Sequence, residues 1–327
     1  MGRRILVTGA AGFVGAALAR ELLASLGEHD TLLLTDLAFP TEPCVEGDRR
    51  IRWLTGDLAD LRFRALLFEQ PVDAVVHLAG LVSGAAETEF DRGWRVNVDT
   101  TRAVLETCAR QARCDGRAPR VIYASSIAVH GVPLPHRIND HTPPSPSLSY
   151  GAHKLIGELL LSELSRRAWV DGMSLRLAGV VVRPAWPNGA LSGFNSDLIR
   201  ETLAGHRVTS PVSPEAVIWL QSLSSAVGAI VKVLAMTGPA PDGARVVQLP
   251  AIAASIAEIL AVISQVCGRD AWQLVDFRPD PAIEPMFGRW PRDHDFARAL
   301  AMGLPGDSSL QALIADAATS VGPLARA

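Results

Sequence analysis

Short apolar runs alternate with longer segments that carry an apolar stripe through the first half of the chain. The apolar runs predict strands at 4–9, 31–36, 51–57, 73–80, 120–126 and 172–184, and the striped segments predict helices at 13–26, 61–70, 87–113 and from Tyr150 onward. Strands that are apolar on both faces and separated by helices are typical of a parallel sheet covered on both sides. The pattern therefore predicts an α/β fold with a doubly wound parallel sheet.

The alternation weakens in two places. Residues 131–149 are rich in Pro and Ser and predict an irregular segment that leads into the Tyr150 helix, with Ser147 or Ser149 as its N-cap. Beyond residue 184, prolines and short helical segments indicate a smaller, mostly helical lobe over the open edge of the sheet. We therefore divide the chain into a sheet domain, 1–184, and a second lobe, 185–327, and leave open that some segments of this lobe return to the sheet.

Composition changes this picture little but argues against several partners. Hydrophobic residues make up 48% and charged residues 20% of the 327 positions, and the formal net charge is −3. Such a charge gives no electrostatic reason to expect nucleic acid or an anionic membrane as a partner. The four cysteines are scattered without metal-ligand spacing, so we expect reduced thiols and no metal site. No apolar run has the length of a signal or a membrane span, so we expect a soluble, cytoplasmic protein.

A glycine-rich turn links the first strand to the first helix. Gly9, Gly12 and Gly15 in VTGAAGFVGAALA form GxxGxxG, a variant of the dinucleotide fingerprint. Backbone amides at such a helix N-terminus approach a pyrophosphate closely only where Cβ atoms are absent. The strand–turn–helix context predicts a dinucleotide cofactor, bound by these glycines together with Phe13 and Val14.

The acid at the end of the second strand indicates which dinucleotide is bound. Asp36 follows Gly15 by 21 residues, close to the roughly 20 expected for a carboxylate that binds the adenosine ribose hydroxyls. A carboxylate repels a 2′-phosphate, and no arginine directly follows it in TDLAFP. We therefore predict NAD rather than NADP as the cofactor.

Further cofactor contacts are predicted where the third and fourth strands end, because ligands bind at the carboxyl edge of such sheets. Asp57, which precedes Leu58, either accepts a hydrogen bond from the adenine amino group or caps the following helix, and we favour the adenine role. His77, at the end of the fourth strand, is interpreted as a buried strand residue rather than a base. The small residues after it leave room for the cofactor: Leu78, Ala79 and Gly80.

The chain has only two tyrosines and two lysines, yet Tyr150 and Lys154 lie one helical turn apart. A tyrosine is a poor base because its free pKa is about 10. An ammonium one turn away favours the phenolate, and a serine hydroxyl orients the substrate oxygen. We choose Ser126, at the end of the fifth strand, as that hydroxyl and expect Ser125 nearer the cofactor. The set suits removal of an alcohol proton while a hydride leaves for the nicotinamide; the alternative for Tyr150 and Lys154 is a solvated helix face.

Taken together, these motifs resemble those of the extended short-chain dehydrogenase/reductases of the NAD-dependent epimerase/dehydratase type. The resemblance rests on TGAAGFVG, Asp36, GDL, HLAG, NVDTTR, ASSIAVHG and YGAHK and covers residues 3–184. It implies a Rossmann domain of about seven strands with a C-terminal substrate-binding lobe, and often a homodimer. By the same match, Asn97 falls near the nicotinamide half of the cofactor site.

A narrower resemblance, to D-erythronate dehydrogenases, runs nearly from end to end. It rests on LVSGAAETEFDRGWRVNVDTTR, RRAWVDGMSLRLAGVVVRPAWPN, VIWLQSLSSAV and FRPDPAIEPMFGRWP. It implies oxidation of the hydroxyl beside the carboxylate of a four-carbon sugar acid. The chain departs from the family at Ala178-Gly179, where Pro-Thr is usual, at Ala185-Trp186, where glycine and lysine are usual, and at His130, where tyrosine is common.

A sugar acid needs a cation to pair with its carboxylate, and the planar fork of an arginine suits this. Arg183, at the end of the strand predicted at 172–184, is our candidate; the alternative is an ordinary ion pair. Ser83 is a second candidate for substrate binding, and Asn188 a third, although Asn before Gly is also a common turn. Trp219 either closes the pocket or belongs to the core.

The leading prediction is thus an NAD-dependent dehydrogenase of a small sugar acid that forms the 2-oxo acid, with Tyr150 as base and Lys154 lowering its pKa. One alternative is a nucleotide-sugar 4-epimerase or dehydratase that retains its NAD. We disfavour it because residues 185–240 offer few cations for a diphosphate, namely Arg200, Arg207 and Lys232. The other alternative is a non-catalytic NAD-binding protein. Helices 87–113 and 150–167 have apolar faces that either pair across a two-fold axis or cover the sheet.

Overall fold

The computed structural model of the protein describes residues 2–40, 47–185 and 191–321. Within these residues the strands are β1 (Arg4–Thr8), β2 (Thr31–Asp36), β3 (Ile51–Thr55), β4 (Ala74–His77), β5 (Arg120–Ser126), β6 (Arg137–Ile138), β7 (Asp171–Leu177), β8 (Gly179–Val181), β9 (Val208–Ser210), β10 (Val217–Ser222), β11 (Val246–Gln248), β12 (Ile252–Ser255), β13 (Val275–Phe277) and β14 (Asp293–His294). The α-helices are α1 (Phe13–Ser25), α2 (Leu61–Leu67), α3 (Ser83–Thr88), α4 (Phe90–Trp94), α5 (Thr100–Asp115), α6 (Ser149–Arg166), α7 (Phe194–Ala204), α8 (Leu223–Ala235), α9 (Ile256–Cys267), α10 (Glu284–Phe287), α11 (Ala297–Ala301) and α12 (Leu310–Val321). Seven strands form one parallel sheet in the order β11-β7-β5-β4-β1-β2-β3, which confirms the predicted fold class.

Side chains of the central strands alternate between two cores, one on each face of the sheet. On one face Val7 of β1 shares a core with Leu18 of α1 and Ile230 of α8. On the other face Leu6 shares a core with Leu161 of α6. All five are almost fully buried, so the removal of apolar surface from water on both faces is what holds the helices to the sheet.

The strand order positions the candidate site. Strand β1 lies between β2 and β4, so the chain turns to opposite sides of the sheet after β1 and after β4. The loops that leave the carboxyl ends of these two strands therefore diverge and leave a crevice, which is where open parallel sheets bind ligands. The glycine-rich turn follows β1, and residues 78–80 follow β4.

Three predicted elements differ from the structure. The strand predicted at 172–184 is two strands in different sheets: β7 pairs with β5, whereas β8 pairs with β10. The helix predicted at 87–113 is divided among α3, α4, a π-helical turn (Arg95–Asp99) and α5. Neither predicted serine is the N-cap of α6, because Leu148 holds that position while Ser147 accepts a hydrogen bond from the amide of Val132 at 2.7 Å.

The second lobe contains more strand than predicted. Strands β12, β10 and β8 form a three-stranded sheet, and α7, α9 and α12 share a core that includes Leu198, Ile259 and Ile314. Strand β11 returns to the edge of the main sheet beside β7. The division at residues 184 and 185 remains our proposal. Three segments cross it: β8 joins the sheet of the second lobe, whereas α8 and β11 pack with the main sheet. Across the described ranges, no helix is both long enough and apolar enough to span a membrane.

Candidate active site

A cavity of about 350 Å³ opens at the carboxyl ends of β1, β4 and β5. Most of the predicted site residues line it: Gly9, Gly12, Phe13, Val14, Gly15, Leu78, Gly80, Ser83, Ser125, Ser126, Tyr150, Lys154 and Arg183. Five others, Asp36, Asp57, Leu58, Ala79 and Asn97, do not line it. Asn188 lies outside the described residues, as does Trp186.

The glycine-rich turn has the shape that a pyrophosphate needs. Gly9 has a φ of 71°, and a Cβ there would lie 2.7 Å from the amide nitrogen of Ala79. At Gly15 a Cβ would lie 2.2 Å from the carbonyl oxygen of Gly9, so glycine is required for α1 to begin this close to the turn. Gly12 is the N-cap of α1 and provides no side-chain cap. Uncapped amides at a helix N-terminus are donors for phosphate oxygens, so these residues fit NAD.

Asp36 ends β2 beside this turn. Its carboxylate accepts hydrogen bonds from the amide of Ala11 at 3.0 Å and from the amide of Leu37 at 2.8 Å. The residue is only half-buried. A carboxylate with further acceptor capacity at this edge is suited to the hydroxyls of a ribose.

Asp57 follows β3 and is exposed. Its carboxylate accepts a hydrogen bond from the amide of Ala59 at 2.8 Å, whereas the N-cap of α2 is Asp60. The alternative in which Asp57 caps the helix is therefore wrong, and its adenine role remains a prediction. Leu58 is buried in the core.

Asn97, in the π-helical turn, holds the segment that follows β4. Its side-chain amide donates to the carbonyl of Leu81 at 3.0 Å, and its side-chain oxygen accepts from the Leu81 amide at 2.7 Å. A Cβ at Gly80 would lie 3.0 Å from that oxygen. Asn97 thus fixes the backbone next to the cavity, and π-turns of this kind are frequent at functional sites.

His77 is a buried strand residue, as interpreted from the sequence. Its Nδ1 lies 2.7 Å from the hydroxyl of Thr8 and its Nε2 lies 3.0 Å from the hydroxyl of Thr101. Burial lowers the pKa of His77 to about 3. A neutral imidazole bonded at both nitrogens has no proton-transfer role at the cavity.

The last two serines of β5 point in opposite directions, as alternation along a strand requires. Ser125 is buried, and its hydroxyl donates to the carboxylate of Glu158 at 2.5 Å. Ser126 lines the cavity, where its hydroxyl accepts from the amide of Ala128 at 3.1 Å, and its hydrogen bonding acts to lower the pKa of Tyr150. Of the two hydroxyls, that of Ser126 is the one beside the tyrosine.

Tyr150 and Lys154 lie one turn apart on α6, and both face the cavity. The Lys154 ammonium donates to the carbonyl of Ala124 at 2.7 Å and lies 5.5 Å from the centre of the Tyr150 ring. Burial lowers the pKa of Lys154 to about 8, although the charge of Glu158 raises it. Burial also raises the pKa of Tyr150, while the guanidinium of Arg183 and the hydrogen bond with Ser126 act against this. The solvated-face alternative is wrong for Lys154, which is 4% exposed.

Two predicted substrate residues line the cavity from different elements. Arg183 follows β8, and its Nε donates to the carbonyl of Val180 at 3.3 Å. Ser83 begins α3, and its hydroxyl accepts a hydrogen bond from the amide of Leu191 at 3.1 Å. Trp219 is 1% exposed and belongs to the core, although its edge reaches the cavity wall.

Sequence reasoning missed several residues that line the cavity, among them Asn195 and Trp290. Asn195 comes from the first turn of α7, and Trp290 packs against Trp219 with ring centres 5.1 Å apart. Asn195 stands in no motif. Trp290 lies in the stretch FRPDPAIEPMFGRWP that carries the narrower resemblance, but nothing in that stretch marks it as a cavity residue. His130, noted from the sequence as a departure from the family, also lines the cavity.

Comparison with known proteins identifies the family. The model of the NAD dependent epimerase/dehydratase family matches residues 5–221. The chain belongs to that family. Membership of the NAD dependent epimerase/dehydratase family confirms the resemblance stated from the motifs, and NAD as the cofactor.

Similar proteins in the family cover nearly the whole chain. The D-erythronate dehydrogenase of Cupriavidus necator is 41% identical over 315 residues, which is 95% of this chain and 96% of that protein. The D-erythronate dehydrogenase of Haemophilus influenzae is 34% identical over 312 residues, covering 95% and 97%. Among solved structures, a nucleoside-diphosphate-sugar epimerase from Agrobacterium tumefaciens superposes with a TM-score of 0.87 at 34% identity, covering 96% of this chain and 92% of that one.

Proposed function

We propose that this chain is an NAD-dependent dehydrogenase that oxidises a secondary hydroxyl of a small sugar acid, D-erythronate foremost, to the 2-oxo acid. The observation that carries the proposal is that Ser126, Tyr150 and Arg183 line one cavity beside the glycine-rich turn. The similar proteins of C. necator and H. influenzae are named for this activity.

Arg183 is the proposed partner of the substrate carboxylate. Within the described ranges it forms no ion pair with a carboxylate; its Nε hydrogen bond goes to a backbone carbonyl. A largely desolvated guanidinium without a counter-ion favours an anionic ligand. Ser83 also lines the cavity; its hydroxyl accepts from Leu191 and donates to no group in the described part of the chain, so its proton is available to a substrate.

Tyr150 is the proposed base. The proton of the substrate hydroxyl passes to the phenolate oxygen of Tyr150, while the hydroxyl of Ser126 donates to the same substrate oxygen and orients it. The Lys154 ammonium, fixed by the carbonyl of Ala124, favours the phenolate through its charge. NAD, when bound, supplies the acceptor for the hydride that leaves the carbon bearing this hydroxyl. The carbinol thus loses one proton to the protein and one hydride, and becomes a carbonyl.

The second candidate is a nucleotide-sugar epimerase that retains its NAD, and the superposition on the A. tumefaciens epimerase favours it. Two of the three cations named for residues 185–240 argue against it. Lys232 donates to the carbonyl of Gly303 at 2.6 Å, and Arg200 pairs with Asp197 at 2.6 Å and Glu201 at 2.9 Å. Because both side chains are already bound to groups of the protein, they are not available as counter-ions for a diphosphate.

For assembly we propose a homodimer built through α4, α5 and α6. Support comes from large apolar side chains that are exposed on this side of the monomer: Phe90 is 58%, Trp94 41% and Leu159 64% exposed. Burying such a patch against a second copy removes it from water. We also propose a cytoplasmic location, for which the free thiols of Cys108, Cys114 and Cys267 are suitable.

The test is NADH formation at 340 nm with NAD and D-erythronate, beside other four-carbon sugar acids, simple hydroxy acids and UDP-sugars. Turnover of erythronate supports the dehydrogenase. Conversion of a UDP-sugar by protein that carries tightly bound NAD supports the epimerase instead. Binding of NAD without turnover of any alcohol contradicts both enzymatic functions and supports the non-catalytic alternative.

A further inference from the structure

Asn195 is a buried polar side chain on the cavity wall that the mechanism above does not use. It lies in the first turn of α7 and is 5% exposed. Its side-chain oxygen has no hydrogen-bond partner in the described part of the chain. Burying an amide oxygen without a partner costs free energy, and most such groups in folded proteins find one. A ligand in the cavity is a natural source of that partner.

Gly179, also on the cavity wall, explains why the amide is accessible from this side. A Cβ at this position would lie 3.3 Å from the side-chain nitrogen of Asn195 and 2.7 Å from the carbonyl oxygen of Trp219. The second distance is shorter than a normal Cβ contact, so a larger residue at 179 would require β8 to shift relative to β10, with which it pairs. Because residue 179 has no side chain, nothing at this position separates the Asn195 amide from the cavity.

The chemistry of the amide identifies the group that it recognises. Asn195 offers one acceptor oxygen and two N–H donors and carries no charge. Within the proposed function, Arg183 takes the carboxylate, and Ser126 and Tyr150 take the hydroxyl that reacts. The remaining polar groups of a sugar acid are hydroxyls further along its chain, and a hydroxyl both donates to and accepts from an amide.

We infer that Asn195 is a specificity-determining residue that binds a hydroxyl of the substrate beyond the carbon that is oxidised, so that the enzyme selects polyhydroxy acids over plain 2-hydroxy acids. This inference rests on the proposed function. A site built to hydrogen-bond a substrate hydroxyl rejects analogues that lack it, because its own buried polar group is then left without a partner.

The experiment compares kcat/KM for D-erythronate and for 2-hydroxybutanoate, which has no distal hydroxyl, in the wild type, Asn195→Leu and Asn195→Ala. We expect both substitutions to lower kcat/KM for erythronate by about 10- to 100-fold and for 2-hydroxybutanoate by less than about 3-fold. Gln311→Leu, which removes an exposed amide from α12 of the same lobe, is the matched control and leaves both values unchanged. The Kd for NAD and the Tm are measured on each variant.

The outcomes separate this inference from the proposed function. Equal losses for both acids, or a weaker Kd for NAD with unchanged selectivity, overturn the role of Asn195 and leave the dehydrogenase standing. A wild type that oxidises neither erythronate nor any other sugar acid contradicts the proposed function, and the inference with it. If Asn195→Leu fails to fold, Asn195→Ala, which cannot overpack the site, decides the question.

Discussion

Glu158 and Arg176 form a buried, two-bonded ion pair directly beneath the candidate active site. The Nε of Arg176 donates to one carboxylate oxygen at 2.8 Å and an Nη donates to the other at 2.7 Å. Both residues are less than a tenth exposed. The pair also anchors Ser125 and lies one helical turn beyond Lys154, so α6, β5 and β7 meet at one carboxylate.

We expect Glu158→Gln to lower the free energy of unfolding by about 3–5 kcal/mol, because it leaves the Arg176 charge buried and unpaired. Denaturant unfolding measures this. Glu163→Gln on the same helix, whose ion pairs are exposed, is the control and changes stability little. A double variant, Glu158→Leu with Arg176→Met, removes both charges and is expected to cost less than the single change. A loss for Glu158→Gln no larger than that of the control would show that the pair contributes little.

Replacement of Tyr150 by Phe tests the proposed base. Since the proton acceptor is lost, we expect kcat/KM to fall by about 10²- to 10⁴-fold, while the Kd for NAD changes little. The matched control is Tyr123→Phe, at the other tyrosine of the chain, which keeps its ring in the core and is expected to stay active. Near-normal turnover by Tyr150→Phe would remove this tyrosine from the mechanism.

Replacement of Arg183 by Met tests the carboxylate partner in two ways. We expect KM for erythronate to rise by about 10- to 100-fold, since a charge-assisted hydrogen bond is lost. Because the Arg183 cation acts to lower the pKa of Tyr150, its loss also moves the rise of activity with pH to higher pH. Arg207→Met, which removes an exposed charge of the same lobe, changes neither. An unaltered KM in Arg183→Met would require another cation for the substrate.

Asp36 is expected to discriminate against NADP. We expect Asp36→Asn to lower the ratio of kcat/KM for NAD over NADP by about 10- to 100-fold at low ionic strength, because the repulsion of the 2′-phosphate is removed. Asp57→Asn should weaken both cofactors alike and leave the ratio unchanged. A wild type that prefers NADP would contradict the selection of NAD by this carboxylate.

Three histidines, His77, His130 and His153, are buried, and burial lowers the pKa of each, which predicts loss of stability in acid. Burial lowers the pKa of His77 to about 3 and that of His130 to about 4, whereas both are near 6.5 in the unfolded chain. The unfolded state therefore binds more protons below this value, and the free energy of unfolding falls as pH drops from about 6.5 towards 4, by about 1.4 kcal/mol per unit for each histidine. We expect His130→Phe to reduce this slope by the share of one histidine, about 1.4 kcal/mol per pH unit. His141→Phe, at an exposed histidine, leaves it unchanged, and urea unfolding at several pH values measures all three proteins.

Local sequence patterns predicted those parts of the fold that lie within a single strand, turn or helix. The strands at β2 and β5 were predicted to the residue, since a run apolar on both faces has few alternatives to a buried parallel strand. The split of 172–184 into β7 and β8 was missed, because nothing within the run shows that its two halves pair with different strands. The second half becomes a separate strand because it pairs with β10, which lies some forty residues further along the chain.

The amino-acid sequence by itself determined the dinucleotide turn, the acid at Asp36 and the helical spacing of Tyr150 and Lys154, because each is a feature of contiguous residues whose geometry follows from backbone dihedrals and helix periodicity. Only the tertiary structure decided that Ser125 faces Glu158 while Ser126 faces Tyr150, that Arg183 is the cation opposing burial at the tyrosine, and that Asn195 joins the cavity. The three pairs join residues 24 to 33 positions apart. They depend on how helices and sheets pack against one another, and the period of a single segment carries no record of that packing.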